Sequence, residues 1–139
     1  MRHPIEPGLP SAAVLAALLA ATLCGCHRTP VSHATEADVS AAQEDARKEV
    51  EQARVEARKD VKSAVKTTGG DPRNIAAARI TGTFDIAMAQ ADGDHKVAIV
   101  KCLTLDPASQ QPCKDQADAQ FQSATAQAKA MRLANGGRG

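Results

Sequence analysis

Thr67-Thr68-Gly69-Gly70-Asp71-Pro72 is the stretch whose reading decides the fold. Paired glycines favour the left-handed backbone that stops a helix. Asp followed by Pro then supplies an N-cap and a first helical residue for the next one. The stretch therefore divides two long helix-forming segments that would otherwise read as one. Upstream, residues 38–67 are rich in Ala, Glu, Lys, Arg and Gln, all good helix formers. Ala46, Val50, Ala53, Ala57, Val61 and Ala64 recur at intervals of three and four, which predicts a narrow apolar stripe. Opposite charges flank it at helical spacing, such as Glu44 with Lys48 and Glu56 with Lys59. Each pair adds only about 0.2–0.5 kcal/mol, and the pattern reads as a solvated helix face.

Downstream of the break, Ile80, Phe84, Ala87, Met88, Ala91, His95, Ala98, Ile99 and Cys102 share one face of a second helix. Gly82 and Gly93 read as weak points in it, each costing about 1 kcal/mol relative to Ala. Asp92-Gly93-Asp94 is also compatible with a turn leading to a short strand over Val97 to Val100. A lone strand has no partner in this sequence, so the helix is expected to continue. Asp106-Pro107-Ala108-Ser109 is a turn signal, with Ser109 placed to cap a third helix running to about Leu133. Its stripe is Cys113, Ala117, Phe121, Ala124, Ala128 and Met131. No repeat of about 30 residues is evident. The expected fold is all-α: an elongated charged helix followed by an antiparallel helical hairpin, in a loosely packed three-helix arrangement.

Composition bounds what such a fold can bury. The chain has 139 residues and a hydrophobic fraction of 43%, with two Phe, Phe84 and Phe121, and no Trp or Tyr. Much of that fraction is alanine, and at about 25 cal/mol per Å2 of buried apolar surface an alanine interface contributes little. A thin core is expected. The formal charge is +1, with both signs interleaved. Nucleic-acid binders concentrate cations on one face and stack bases on aromatics, so no nucleic-acid partner is expected.

Residues 1–25 have the parts of a secretory signal: Arg2 near the start, an apolar core from Ala12 to Leu23, and then Leu23-Cys24-Gly25-Cys26. The core is shorter than the roughly 20 apolar residues that span a bilayer. Leu23-Cys24-Gly25-Cys26 resembles the lipobox of bacterial lipoproteins, in which a signal peptidase cuts before a cysteine that becomes diacylated. The resemblance implies cleavage between Gly25 and Cys26, with Cys26 carrying palmitate-like acyl chains. The plainer alternative is an unlipidated export signal cut elsewhere, which leaves Cys24 and Cys26 as thiols. Two or more acyl chains, at about 0.8 kcal/mol per buried methylene, hold a protein on a membrane almost permanently. Residue 27 is His and not Asp. By resemblance to enteric lipoproteins this implies the outer membrane, facing the periplasm.

The expected organisation is a lipoprotein signal peptide over 1–25, a flexible tether over 26–38 and a charged amphipathic helix over 39–68. A disulfide-stapled hairpin over 71–134 and a disordered tail over 135–139 follow. With Cys24 leaving in the signal and Cys26 lipidated, Cys102 and Cys113 remain, and in an exported protein they are expected to bond to each other. Cys102 ends the second stripe and Cys113 begins the third, so a hairpin turning through Leu103 to Pro112 brings them together. A redox couple or metal site is disfavoured, since no close Cys-x-x-Cys or ligand cluster accompanies them.

His95 with Asp92 and Asp94 is the only local group with the residue types of a metal or acid–base site. Its spacing does not place all three on one helical face, so a solvated surface is the expected reading. No phosphate loop, nucleophile elbow or paired-histidine zinc motif is present. No catalytic residue, metal, cofactor or small-molecule substrate is expected, and the chain is not read as an enzyme.

Ala89-Gln90-Ala91-Asp92-Gly93-Asp94-His95-Lys96-Val97-Ala98-Ile99-Val100-Lys101-Cys102, followed by Cys113-Lys114-Asp115-Gln116-Ala117, resembles small Ala-rich helical envelope proteins of proteobacteria. That resemblance implies a helical hairpin and no particular activity. The lipid-tethered helical plan is also similar to that of murein lipoproteins. Gly139 stands where their linking lysine would be, so covalent attachment to peptidoglycan is not expected. Two functions fit: a lipid-anchored structural or spacer lipoprotein of the cell envelope, and a periplasmic helix-binding adaptor or chaperone-like module. The partners expected are the membrane, through the lipid, and either an envelope protein or a second copy of the chain, with coiled-coil-like seams making the contact.

Overall fold

A computed structural model describes residues 33–136. Three antiparallel helices make up this unit: α1 (Glu36–Thr67), α2 (Pro72–Cys102) and α3 (Pro107–Gly136), with no strand among the described residues. They contain 32, 31 and 30 residues, so each is about 45–48 Å long at 1.5 Å rise per residue. α1 packs on α2 and α2 on α3, while no Cα of α1 comes within 8 Å of one in α3. The helices therefore form one layer with α2 in the middle. None of the described helices is long and apolar enough to cross a membrane.

Local chemistry sets the helix ends. Thr35 and Asp38 form a reciprocal capping box: Asp38 Oδ2 accepts from the Thr35 backbone N–H at 2.7 Å, and Thr35 Oγ1 accepts from the Asp38 N–H at 3.3 Å. The helix thus starts inside the stretch expected to be tether. Gly69 and Gly70 have φ of 63° and 87°, the left-handed break expected from the sequence. Asp71 caps α2, its Oδ1 accepting from the Arg73 N–H at 2.8 Å.

At the third helix the cap differs from expectation. Asp106 Oδ1, not Ser109, accepts from the N–H groups of Ala108 and Ser109, at 3.1 and 3.2 Å. Pro107 occupies the first helical position, where its missing N–H has no cost. Pro112 consequently lies inside the helix and not in the turn. At the other end α3 continues through Gly136, past the expected stop near Leu133.

A short repeat underlies α1 and α2. Asp45-Ala46-Arg47-Lys48-Glu49-Val50 recurs eleven residues later as Glu56-Ala57-Arg58-Lys59-Asp60-Val61. In α2, Ile75, Ala76, Ala78, Arg79 and Gly82 recur as Ile86, Ala87, Ala89, Gln90 and Gly93. Eleven residues make three turns at about 3.67 residues each, so equivalent positions return to the same face. The buried and half-buried apolar residues of α1 follow this spacing: Val39, Val50 and Val61; Ala42, Ala53 and Ala64; Ala46 and Ala57.

α2 is the structural centre because it packs on two faces. Ala91 and Cys102, on the face expected from the sequence, are buried against α3. Gly82 and Gly93 are buried on the opposite face, against α1. A Cβ on Gly82 would lie 2.6 Å from Ala57 Cβ, and one on Gly93 would lie 2.8 Å from Ala46 Cβ. The glycines expected to weaken the helix are where α1 comes too close to α2 to admit a side chain, and Asp92-Gly93-Asp94 is continuous helix. The buried apolar side chains are Val39, Ala91, Cys102, Ala117 and Ala128, a core as thin as the composition predicts.

Candidate functional site

The best-ordered chemistry lies at the end of the layer where α1 begins, α2 ends and α3 begins. Cys102 is 1% exposed and is joined to Cys113 as a disulfide, with Cα atoms 5.5 Å apart, as the sequence leads one to expect. The Ala34 N–H donates to the Leu103 carbonyl at 3.2 Å, which ties the start of α1 to the turn. Gln110, the buried polar residue of this end, donates from Nε2 to the Leu105 carbonyl at 3.1 Å and closes the turn from inside. Asp106 is held below the ordinary carboxylate value by hydrogen bonds from the Ser109 side chain and then from the Ser109 and Ala108 backbone. Asp38 is lowered likewise, first by the Thr35 backbone N–H and then by its side chain. A disulfide, two acidic caps and one buried amide thus fix this end.

Two turns of α2 away from Cys102, the histidine group assembles differently from its sequence neighbours. His95 Nε2 meets Asp118 Oδ1 of α3 at 2.6 Å, and its ring stacks on Phe121 with centroids 4.8 Å apart. Asp92 does not join it. Its carboxylate pairs with Lys96 at 2.7 Å, and Lys96 also reaches both oxygens of Glu49 on α1 at 2.9 Å. The Asp92 and then the Glu49 hydrogen bonds raise the Lys96 ammonium above its ordinary value. Asp94 faces a groove beside the α1–α2 seam. Among the described residues no cluster of three or more His, Cys, Asp or Glu could hold a metal. His95 therefore acts as a polar rivet between α2 and α3. The sequence signal for it was Phe121 on the facing stripe and Asp118 beside it, legible only once the hairpin register is known.

The opposite end of the α2–α3 pair is open. Met131, expected on the buried stripe, is 54% exposed and Leu133 is 78% exposed. The pair is held there by the Arg132 guanidinium, 4.7 Å from the centroid of the Phe84 ring. Beside the α1–α2 seam run two grooves, of about 690 and 530 Å3, that share Arg54. Val50 and Val97 lie in the floor of the first, Val61 and Ile86 in the second. Arg47, Arg54, Lys101, Arg58, Lys62 and Arg79 line their walls. Gly25 and Cys26, the expected cleavage and lipidation positions, lie outside the described residues. Compared with protein-family models, curated proteins and solved structures, the chain matches none of them.

Proposed function

We propose that the protein is a lipid-anchored structural or spacer lipoprotein of the bacterial cell envelope, without catalysis. On this reading it sits on the outer membrane facing the periplasm. The observation that carries it is Leu23-Cys24-Gly25-Cys26 at the end of the apolar run from Ala12 to Leu23. The Cys102–Cys113 disulfide supports the reading, since such bonds persist in oxidising compartments and not in the cytosol. The shape of the described unit supports it too. A layer of helices about 45 Å long with a thin alanine and glycine core is suited to holding distance and poorly suited to enclosing a substrate.

The alternative, a periplasmic helix-binding adaptor, is favoured by one observation: the open grooves beside the α1–α2 seam present Val50, Val61, Ile86 and Val97. Intact-mass analysis of protein purified from the envelope fraction tests the anchor. The expected product starts at an acylated Cys26, and Cys26→Ser abolishes both the added mass and membrane retention. An unlipidated product starting at another residue overturns the assignment. In-cell crosslinking separates the two roles, because stoichiometric capture of one envelope protein through the grooves favours the adaptor.

A further inference from the structure

The α1–α2 half of the layer is charged oppositely on its two sides. Ala46 and Ala57 mark the line of α1 that meets α2. Counting about 100° per residue from them, Arg47, Arg54 and Arg58 fall to one side, and Asp45, Glu49, Glu56 and Asp60 to the other. Gly82 and Gly93 mark the facing line of α2. From these, Arg79 and Lys101 share the side of the arginines, while Asp85 and Asp92 share the side of the acids.

The two grooves on the first side, which meet at Arg54, together carry six cations, Arg47, Arg54, Arg58, Lys62, Arg79 and Lys101, against two carboxylates, Glu51 and Asp94. Glu51 pairs with Arg58 at 3.0 Å and with Arg54 at 3.7 Å, and Arg47 reaches Glu44 at 3.9 Å. On the acidic side Lys96 engages Glu49 and Asp92 and Lys48 lies 3.6 Å from Asp45, while neither Glu56 nor Asp60 pairs with a cation among the described residues.

We propose that a second copy of this chain docks the acidic edge of its α1 along this basic groove. Two observations single out a copy over another anion. The complementary charges are on the same chain, and they have the same pitch: Asp45 to Glu56, Glu49 to Asp60 and Arg47 to Arg58 are each eleven residues apart, or about 16 Å along the axis. One register therefore satisfies successive repeats together. The groove and the edge are different surfaces, so the contact is head-to-tail and leaves a free groove on one copy and a free edge on the other. Such an interface propagates into an open stack unless its rotation closes a ring. All of these groups except the half-buried Asp92 are exposed, so each pair contributes a factor of less than about ten to the association constant and is screened by salt. The contact does not depend on the lipid anchor.

The test is sedimentation equilibrium of the full chain in density-matched non-ionic detergent, with circular dichroism confirming that every variant is helical. Association is expected at about 20 mM salt and is expected to be lost at about 0.5 M. Arg54→Glu with Arg58→Glu reverses the groove, and Glu56→Lys with Asp60→Lys reverses the edge. Each double variant alone is expected to self-associate at least about tenfold more weakly. An equimolar mixture of the two regains association, because each supplies the surface complementary to the one reversed on the other. The proposal is overturned if the wild type stays monomeric at low salt, if the reversals leave association unchanged, or if mixing restores nothing. A wild type that remains monomeric yet binds phosphatidylglycerol vesicles through Arg54 and Arg58 also overturns it, and identifies anionic lipid as the occupant.

Discussion

Replacing Gly82 by Ala separates helix propensity from tertiary contact, because the two demand opposite outcomes. By propensity alone, Gly→Ala in a helix interior stabilises by about 1 kcal/mol. In the structure the new methyl would lie 2.6 Å from Ala57 Cβ and 3.2 Å from Ala57 Cα. Carbon atoms pack at about 3.5–4.0 Å, so α1 and α2 must separate by about 1 Å at that point. The obstacle includes backbone, so no rotamer change relieves it. Overfilling a packed seam costs typically about 1–3 kcal/mol, and a gap of about 1 Å forfeits up to half of the dispersion at neighbouring contacts.

Set against the propensity gain of about 1 kcal/mol, the net expectation for Gly82→Ala is a loss of up to about 2 kcal/mol, each kcal/mol lowering the Tm of a domain of this size by roughly 4 °C or more. Gly93→Ala, at 2.8 Å from Ala46 Cβ, behaves the same way. The assay is urea and thermal unfolding followed by circular dichroism at 222 nm. Moving the methyl across the seam completes the argument: Ala57→Gly in the Gly82→Ala background restores most of the loss, although alone it costs about 1 kcal/mol. That coupling should reach about 1 kcal/mol or more in a double-mutant cycle. A Gly82→Ala variant that melts higher than wild type, as propensity requires, refutes the close approach of α1 and α2.

Two further expectations concern the stapled end. Reducing the Cys102–Cys113 bond, or replacing both cysteines by Ala, should destabilise by about 2–3 kcal/mol for a loop of this size, read from denaturation with and without reductant. Two free thiols in the denatured, unreduced Cys26→Ser protein would contradict the staple. Acid should loosen the caps. Asp38 and Asp106 are depressed below their ordinary value of 3.8, so their contribution is complete above pH 3.8 and is lost as pH falls through the lowered values. Helix content should hold from neutral pH to about 4 and fall below it, and an Asp38→Asn, Asp106→Asn double variant should show a shallower acid limb.

The sequence by itself determined the elements and one of the two interfaces. Gly69-Gly70-Asp71-Pro72 breaks the chain through backbone conformation alone, and that chemistry is local. The stripe Ala46 to Ala64 is visible because α1 is wet on its other faces, so one apolar line stands out against charge. Cys102 and Cys113 were readable as a pair because they end adjoining stripes. The α2 face against α1 was not readable. α2 is covered on two opposite sides, which removes the contrast that marks a buried face, and the residues that seat α1 there include glycines with no side chain to show as apolar.

Propensity assigns Gly82 and Gly93 a cost, whereas the tertiary structure places them where a Cβ would collide with Ala57 and Ala46 of α1. The eleven-residue repeat was present in the sequence all along, yet its meaning depends on which line of each helix faces the other. The same holds for His95, whose near neighbours Asp92 and Asp94 are polar, while its partners Asp118 and Phe121 lie across the hairpin. Local backbone chemistry fixes where helices start and stop. Which faces meet, and hence which charges lie on each side of the layer, follows only from the register between helices, because that depends on residues far apart in the chain.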